Sequence, residues 1–247
     1  TNKATMRSPS RALALLGSLA LFLSLALSAL AASCSDSLTP NGRVKTPSSV
    51  RDCFYDPSMA YSNTSALQII SSLRSFLSFY SFVDAYKETG SPFNITFDIM
   101  AKLDALETKA LSGAYSWDYD FHVDVSNLVA SLKDGHTGYS FPAGFGSFLT
   151  VIPISLNPTL SGSSLSLTVS GTQVATAEVY KALFGDDLSE LEGWTVQSIA
   201  GTDPIDWMKT FANDLFPLAK DPSINFNCAV LGCFGYPRFN AWNPGKL

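Results

Sequence analysis

Two histidines and four cysteines are the side chains of this sequence best suited to acid–base, nucleophilic or metal chemistry. His136 follows Lys133-Asp134-Gly135 and precedes Thr137. The apolar stripe ahead of it, Phe121, Val125, Leu128, Val129 and Leu132, predicts a helix, and Gly135 can take the left-handed conformation that ends one. A helix-to-strand junction exposes a side chain from a rigid base. The negative end of the helix and the nearby Asp134 would both favour an imidazolium, which suits a group that takes a proton from a hydroxyl and holds it. Capping of the preceding carbonyls is the purely structural alternative. His122 sits among Asp118, Asp120 and Asp124, but helical spacing pairs Asp118 with His122 and Asp120 with Asp124, dividing the set over two faces. That pattern predicts a surface helix with local charge pairs rather than a metal site.

No G-x-S-x-G, H-E-x-x-H, P-loop or G-x-G-x-x-G occurs. Without a C-x-x-C, the cysteines Cys34, Cys53, Cys228 and Cys233 fit disulfides better than zinc. Three pairings are open. Separation makes Cys34 with Cys53 and Cys228 with Cys233 the simplest, although spacing does not decide connectivity. Gly144-Phe145-Gly146-Ser147 has the backbone for an oxyanion site but reads as a loop joining two strands. Trp194 and Trp207 read as core positions rather than as walls of a peptide groove. Asp186, Asp187, Glu190 and Glu192 lack the spacing of a calcium loop and read as a solvated turn.

The elements that must position these groups begin after an amino-terminal address. Met6-Arg7 and Arg11 precede an almost unbroken Leu, Ala and Ser run from Ala12 to Leu30, the pattern of a secretory signal spanning residues 1–31. Retention of residues 12–30 as a single-pass anchor is the alternative. Removal of that segment takes away Lys3, Arg7 and Arg11, leaving 13 of the 16 basic residues against 21 acidic ones, a net of about −8. Nucleic acid is therefore an implausible partner. A content of 46% hydrophobic and 15% charged residues excludes disorder. Asn63-Thr64-Ser65 and Asn94-Ile95-Thr96 are glycosylation sequons, with Asn63 and Asn94 as acceptors in a secretory lumen.

Residues 32–64 are rich in Ser, Thr, Pro and Asn and predict an exposed arm. Leu67, Ile70, Leu73, Leu77 and Tyr80 predict a helix reaching to about Lys87, and Ile99, Leu103, Leu106 and Ala110 a second, with Thr96 or Asp98 as cap. Beyond His136 the texture changes to strands at 139–141, 148–156, 165–170 and 194–199, followed by a helix that opens with Asp203 as cap and Pro204 in its first turn.

Lys133-Asp134-Gly135-His136-Thr137, after an amphipathic helix and before a strand, resembles the histidine motif of tail-specific serine peptidases of the chlamydial protease-like activity factor type. The likeness continues in Ile199-Ala200-Gly201-Thr202-Asp203-Pro204, similar to the strand, turn and helix of the PDZ-like module in those proteins, and in the stretch from Lys220 to Asn227. It covers roughly residues 65–240, on one moderately specific motif and several weaker ones. The resemblance implies a Ser-His-Glu arrangement in which His136 is the general base. The serine and the acid of that family lie in a later peptidase domain that no segment here matches, so residues 241–247 read as a linker to a missing domain and the chain as a fragment.

The expectation is an α+β chain: a helical segment over 65–137 ending in the histidine motif, then a PDZ-like β-rich module over 138–240. It predicts part of a secreted serine endopeptidase acting on polypeptides, with no cofactor called for and no membrane span after signal cleavage. The rival is a secreted, non-catalytic peptide-binding protein using the same module. A third reading is a cell-surface glycoprotein held by an uncleaved anchor.

Overall fold

The computed structural model describes residues 45–87, 96–148, 150–172, 174–215, 217–232 and 241–242. The chain divides into two units, one up to Met59 and one from Ala60 onward. In the first, helix α1 (Pro47–Phe54) starts where Thr46 accepts a hydrogen bond from the Ser49 amide and Pro47 occupies the first turn, and it buries Val50, Cys53 and Phe54. Part of the segment expected to be an exposed arm is thus helical.

The second unit opens with three helices: α2 (Asn63–Leu77), α3 (Ile99–Leu111) and α4 (Asp118–Ala130). Ser62 caps α2, and Asp98 caps α3 by accepting from the amides of Met100 and Ala101. Their apolar stripes meet in one core of Ala66, Ile70, Leu77, Ile99, Leu103, Leu106, Ala110, Phe121 and Val125, joined by Tyr115 and Leu132. Arg74 of α2 reaches Asp104 and Glu107 of α3, and Lys109 of α3 reaches Asp124 of α4. These pairs are largely exposed and set helix register more than stability. Helix α2 stops at Leu77, ten residues short of the expected end, and successive turns carry the chain to Lys87.

The remainder is mixed. Helix α5 (Ala143–Gly146) is followed by β1 (Thr150–Val151), then by the hairpin of β2 (Ile154–Ser161) and β3 (Ser164–Thr172). The hairpin is antiparallel, with Leu156 opposite Val169 and a bulge between Ser155 and Leu156. Gly162, at φ +61°, takes the left-handed first position of the two-residue loop, which a side chain would resist. Helix α6 (Val174–Phe184) was not foreseen. Residues 194–199, expected as a strand, make only isolated bridges, Thr168 with Thr195 and Ile199 with Thr202. Helices α7 (Pro204–Leu215) and α8 (Pro222–Asn227) follow, and β4 (Ala241–Trp242) pairs antiparallel with β1.

Leu156, Leu167 and Val169 on one face of the hairpin pack with Met208, Phe211 and Ala212 of α7 and with Ala229 and Val230. The architecture is therefore α+β, with one core under the helices and another under the hairpin. No helix among the described residues is long and apolar enough to cross a membrane, and residues 12–30 lie outside them.

Asn225 ties the second core to the loop before α8. Fully buried, it accepts from the Ala219 amide at 2.8 Å and donates to the Asn213 side chain at 2.9 Å and the Ala219 carbonyl at 2.8 Å. Asn225→Ala removes three bonds and strands buried partners, so a destabilisation of about 3 kcal/mol is expected in urea titration. A change under about 1 kcal/mol would show that water reaches these groups freely.

Candidate functional site

Helix α4 ends at Ala130, and the chain then turns through Ser131–Leu132 into the loop that carries His136. Lys133, not Gly135, adopts the left-handed conformation, at φ +48°. His136 is therefore not at the helix end itself, and its electrostatic partner is Asp134 rather than the helix dipole. The region expected as a strand at 139–141 forms no strand and makes no ladder pairing.

The His136 ring is 98% exposed. Its Nδ1 lies 2.9 Å from Asp134 Oδ1, and the same oxygen accepts the His136 main-chain N–H at 3.0 Å. The other carboxylate oxygen accepts from the Tyr80 hydroxyl at 2.8 Å. The Asp134 carbonyl accepts from both the amide and the hydroxyl of Thr137, each at 2.9 Å. One aspartate thus organises the whole turn, an Asx-type arrangement that needs a short acidic side chain two residues before the amide it binds. Nε2, on the far side of the ring, faces solvent.

Tyr80 comes from the turns after α2, where its ring stacks on Tyr86 at 6.2 Å, and the Tyr86 hydroxyl donates to the Leu132 carbonyl at 2.6 Å. Lys220 lies with its ammonium 4.4 Å from the centre of the Tyr86 ring. A Cβ on Gly135 would meet the Leu218 carbonyl oxygen at 3.4 Å. Leu218, just ahead of the 220–227 stretch, therefore lies against the histidine turn, and Lys220 lies against the Tyr86 ring beside it.

Burial pushes the Asp134 carboxyl upward, but hydrogen bonds from the His136 amide, Tyr80 and the His136 ring outweigh it and leave the group below its ordinary value. Burial, and then the bond to Asp134, raises the Tyr80 phenol, which stays neutral and donating. Because the folded-state value of Asp134 is depressed, its contribution to stability is complete above the unfolded value of about 4 and is lost as pH falls through the folded value. Urea titrations of the wild type and Asp134→Asn should accordingly differ most at neutral pH and converge as pH falls through the lowered folded-state value of Asp134. A gap independent of pH would show that the carboxylate charge adds nothing.

His122 departs from expectation. The predicted pairing is present, with Nε2 3.3 Å from Asp118, yet the ring is buried rather than on a surface helix. It is packed among Phe121, Tyr139, Phe141 and Phe145, and Nδ1 sits 2.6 Å from the Tyr139 hydroxyl. Burial and then the charge of Asp118 push the Tyr139 phenol up to about 12. His122 is thus an internal polar tie between α4 and the segment after the site. The stripe His122, Val125, Val129, at helical spacing, is the sequence signal that marks it as inward-facing. Tyr139 also borders an open groove of about 500 Å³ along α2, with Ile69, Leu73 and Phe76 on its apolar side and Ser65, Gln68 and Ser72 around them.

The other candidates fall elsewhere. Residues 143–146 form α5, not a loop between strands, and Phe145 is buried against Tyr119 and His122. Trp194 is exposed rather than in a core, whereas Trp207 stacks on Phe211 at 5.0 Å beside the second core. Asp187 pairs with Lys181 and caps the turn at Leu188–Leu191. The Lys181 bond, then those from Ser189, hold its carboxyl down at about 2. Among the described residues no group of three or more His, Cys, Asp or Glu side chains is arranged to hold a metal ion. Cys53 and Cys228 are buried and neither is a free thiol, while Cys34 and Cys233 lie outside the described residues. Asn63 is exposed in the first turn of α2, and Asn94 also lies outside the described residues.

The arrangement at 133–137 is a base oriented from one side and open on the other. Comparison with protein-family models, curated proteins and solved structures finds no match to this chain.

Proposed function

We propose that the chain is the amino-terminal part of a secreted serine endopeptidase of the tail-specific type, with His136 as general base and the nucleophilic serine outside these residues. The observation that carries this reading is the His136 ring, held at Nδ1 and presented to solvent at Nε2. A hydroxyl brought to Nε2 would lose its proton there as its oxygen attacks a peptide carbonyl. The imidazolium would then return that proton to the leaving amine. Residues 138–240 would act as a PDZ-like module. The edge of β2 away from β3, which takes no second strand among the described residues, supports addition of a substrate strand there. That edge is also the feature favouring a non-catalytic peptide-binding protein.

Secretion, disulfides among Cys34, Cys53, Cys228 and Cys233, and glycans at Asn63 and Asn94 belong to the same reading. Arg11 found by amino-terminal sequencing of the mature protein would reject signal removal. The decisive experiment treats the complete secreted protein with a fluorophosphonate probe and with unstructured casein. Labelling at a serine together with hydrolysis supports the peptidase. Binding of casein-derived peptides with neither labelling nor cleavage supports the binding protein instead.

A further inference from the structure

We infer that Pro158 bars a second copy of this chain from the outer edge of β2, the edge away from β3, and so keeps that edge for a foreign polypeptide strand. The foreign strand rests on the strand-addition reading proposed for residues 138–240, whereas the exclusion of a second copy does not. In an antiparallel pair, successive residues turn their main-chain N–H and C=O alternately toward one neighbour and the other. Leu167 and Val169 of β3 turn theirs away from β2. The Leu167 carbonyl accepts from the Val196 amide at 2.8 Å, the Val169 amide donates to the Trp194 carbonyl at 2.9 Å, and the Val169 carbonyl accepts from the Gly193 amide at 2.8 Å.

Their partners on β2, Pro158 and Leu156, therefore face outward, and so does the next alternate residue, Leu160, opposite Leu165. Asn157 and Thr159, opposite Thr168 and Ser166, are left to make the bonds of the hairpin. The outer edge thus offers an N–H and a C=O at Leu156, a C=O alone at Pro158, and an N–H and a C=O at Leu160. Among the described residues no strand takes them up. A proline fits the middle of this eight-residue strand because its missing donor falls on the unpaired side.

Without the proline this edge would invite self-pairing. Leu160 and Leu165, opposite each other on the face that carries the second core, are 70% and 38% exposed. Two-fold pairing of β2 with itself brings in two prolines. Centred on Asn157, the register of greatest overlap, Leu156 meets Pro158 twice, and each of these pairs keeps one bond of two. Centred on Pro158, two carbonyls face each other with no donor between them. A foreign strand without proline loses one bond, and its carbonyl opposite Pro158 goes to water. Its residues opposite Leu156 and Leu160 fall on the apolar face, and those between fall beside Asn157 and Thr159. The strand that fits therefore alternates apolar and polar residues.

Pro158→Thr restores the missing donor without adding apolar surface. The parent for the test is the complete protein carrying His136→Ala, so that no probe is cleaved. Sedimentation velocity should find Pro158→Thr at twice the parent's mass or more, with the Leu156 and Leu160 amides newly protected from exchange. A variant of the parent's mass overturns the inference, and so does a parent whose Leu156 and Leu160 amides become protected as its concentration rises. The probe for a foreign strand is a fluorescein-labelled peptide of alternating valine and threonine with lysine at both ends. It should slow exchange at Leu156 and Leu160 in the parent. At dilutions that dissociate the variant it should bind Pro158→Thr roughly three- to tenfold more tightly, the worth of one added bond. Equal affinities would show that residue 158 does not face the edge and overturn the inference. If Pro158→Thr loses protection at Asn157 and Thr159, its hairpin has opened and Pro158→Ala takes its place. Opening in both variants would place the 158 amide on the inner side and overturn the inference too. A doubled mass with no peptide bound by either protein leaves the exclusion standing and ends the strand-addition reading.

Discussion

His136→Ala should lower kcat/KM of the complete protein roughly 10⁴-fold or more while leaving its fold intact. Loss of a general base that acts together with a nucleophile removes most of what the pair supplies, because the hydroxyl is then a poor nucleophile at neutral pH. A factor of 10⁴ corresponds to about 5.5 kcal/mol of barrier. The structural cost should be under about 1 kcal/mol. The ring is almost entirely in water and makes one side-chain bond, to Asp134. The main-chain N–H that also binds Asp134 is retained in Ala, so the Asx-type turn survives. Urea titration of the 247-residue chain and turnover by the complete protein separate the two effects. Unchanged turnover would remove His136 from the mechanism, whereas a large loss of stability would show that the histidine is a structural member of the turn.

Local signals made the helical half of the fold readable. Ile70 and Leu77, Leu103, Leu106 and Ala110, and Phe121 and Val125 recur at helical spacing, and each set is buried in the common core. Asp98 is a cap because its short carboxylate reaches two free amides, a property of the residue and its position. Signals that depend on partners far along the chain were harder to read. Residues 194–199 have the composition of a strand but find pairing only at isolated points, and Trp194 is left exposed. Val174–Phe184 follows a strand so closely that its β-branched and aromatic residues masked a helix. Thr46-Pro47 is a helix start set within a stretch whose Ser and Pro content points to a loop, so the local cap and the composition disagree there.

The site divides in the same way. That His136 is exposed and near Asp134 followed from their spacing of two and from the turn residue between them. That Tyr80 clamps Asp134 did not, since 54 positions separate them and only packing of the turns after α2 beside the end of α4 brings them together. Proximity of Leu218 to Gly135 is equally non-local. His122 shows how charge can mislead. Three aspartates within four positions of His122 suggest an exposed helix, yet α4 turns Asp124 toward Lys109 and Tyr115 and keeps His122 inside.

Phe121→Ala should be the most damaging single change to the helical core, at about 3–5 kcal/mol. The ring is fully buried, with Tyr61, Tyr115 and His122 at centroid distances of 5.9, 5.7 and 5.5 Å. These neighbours come from the chain before α2, from the loop after α3 and from α4 itself, so no single element can move to fill the vacated space. Two of them, Tyr115 and His122, also bond to carboxylate or phenol partners and would resist a shift that strained those bonds. Phe121→Leu, which keeps much of the volume, should cost less, about 1–2 kcal/mol. The effect should reach the site, because α4 runs into Leu132, whose carbonyl is bound by Tyr86, and from there to Asp134. Amide exchange along 118–132 should quicken by roughly a hundredfold to a few thousandfold, the factor equivalent to the lost free energy. If exchange quickens over 118–132 while the His136 and Thr137 amides, both bound to Asp134, stay protected, the turn at 133–137 is held by Tyr80 independently of α4. If their protection is lost together with that of the helix, Asp134 depends on the α2–α4 core for its position.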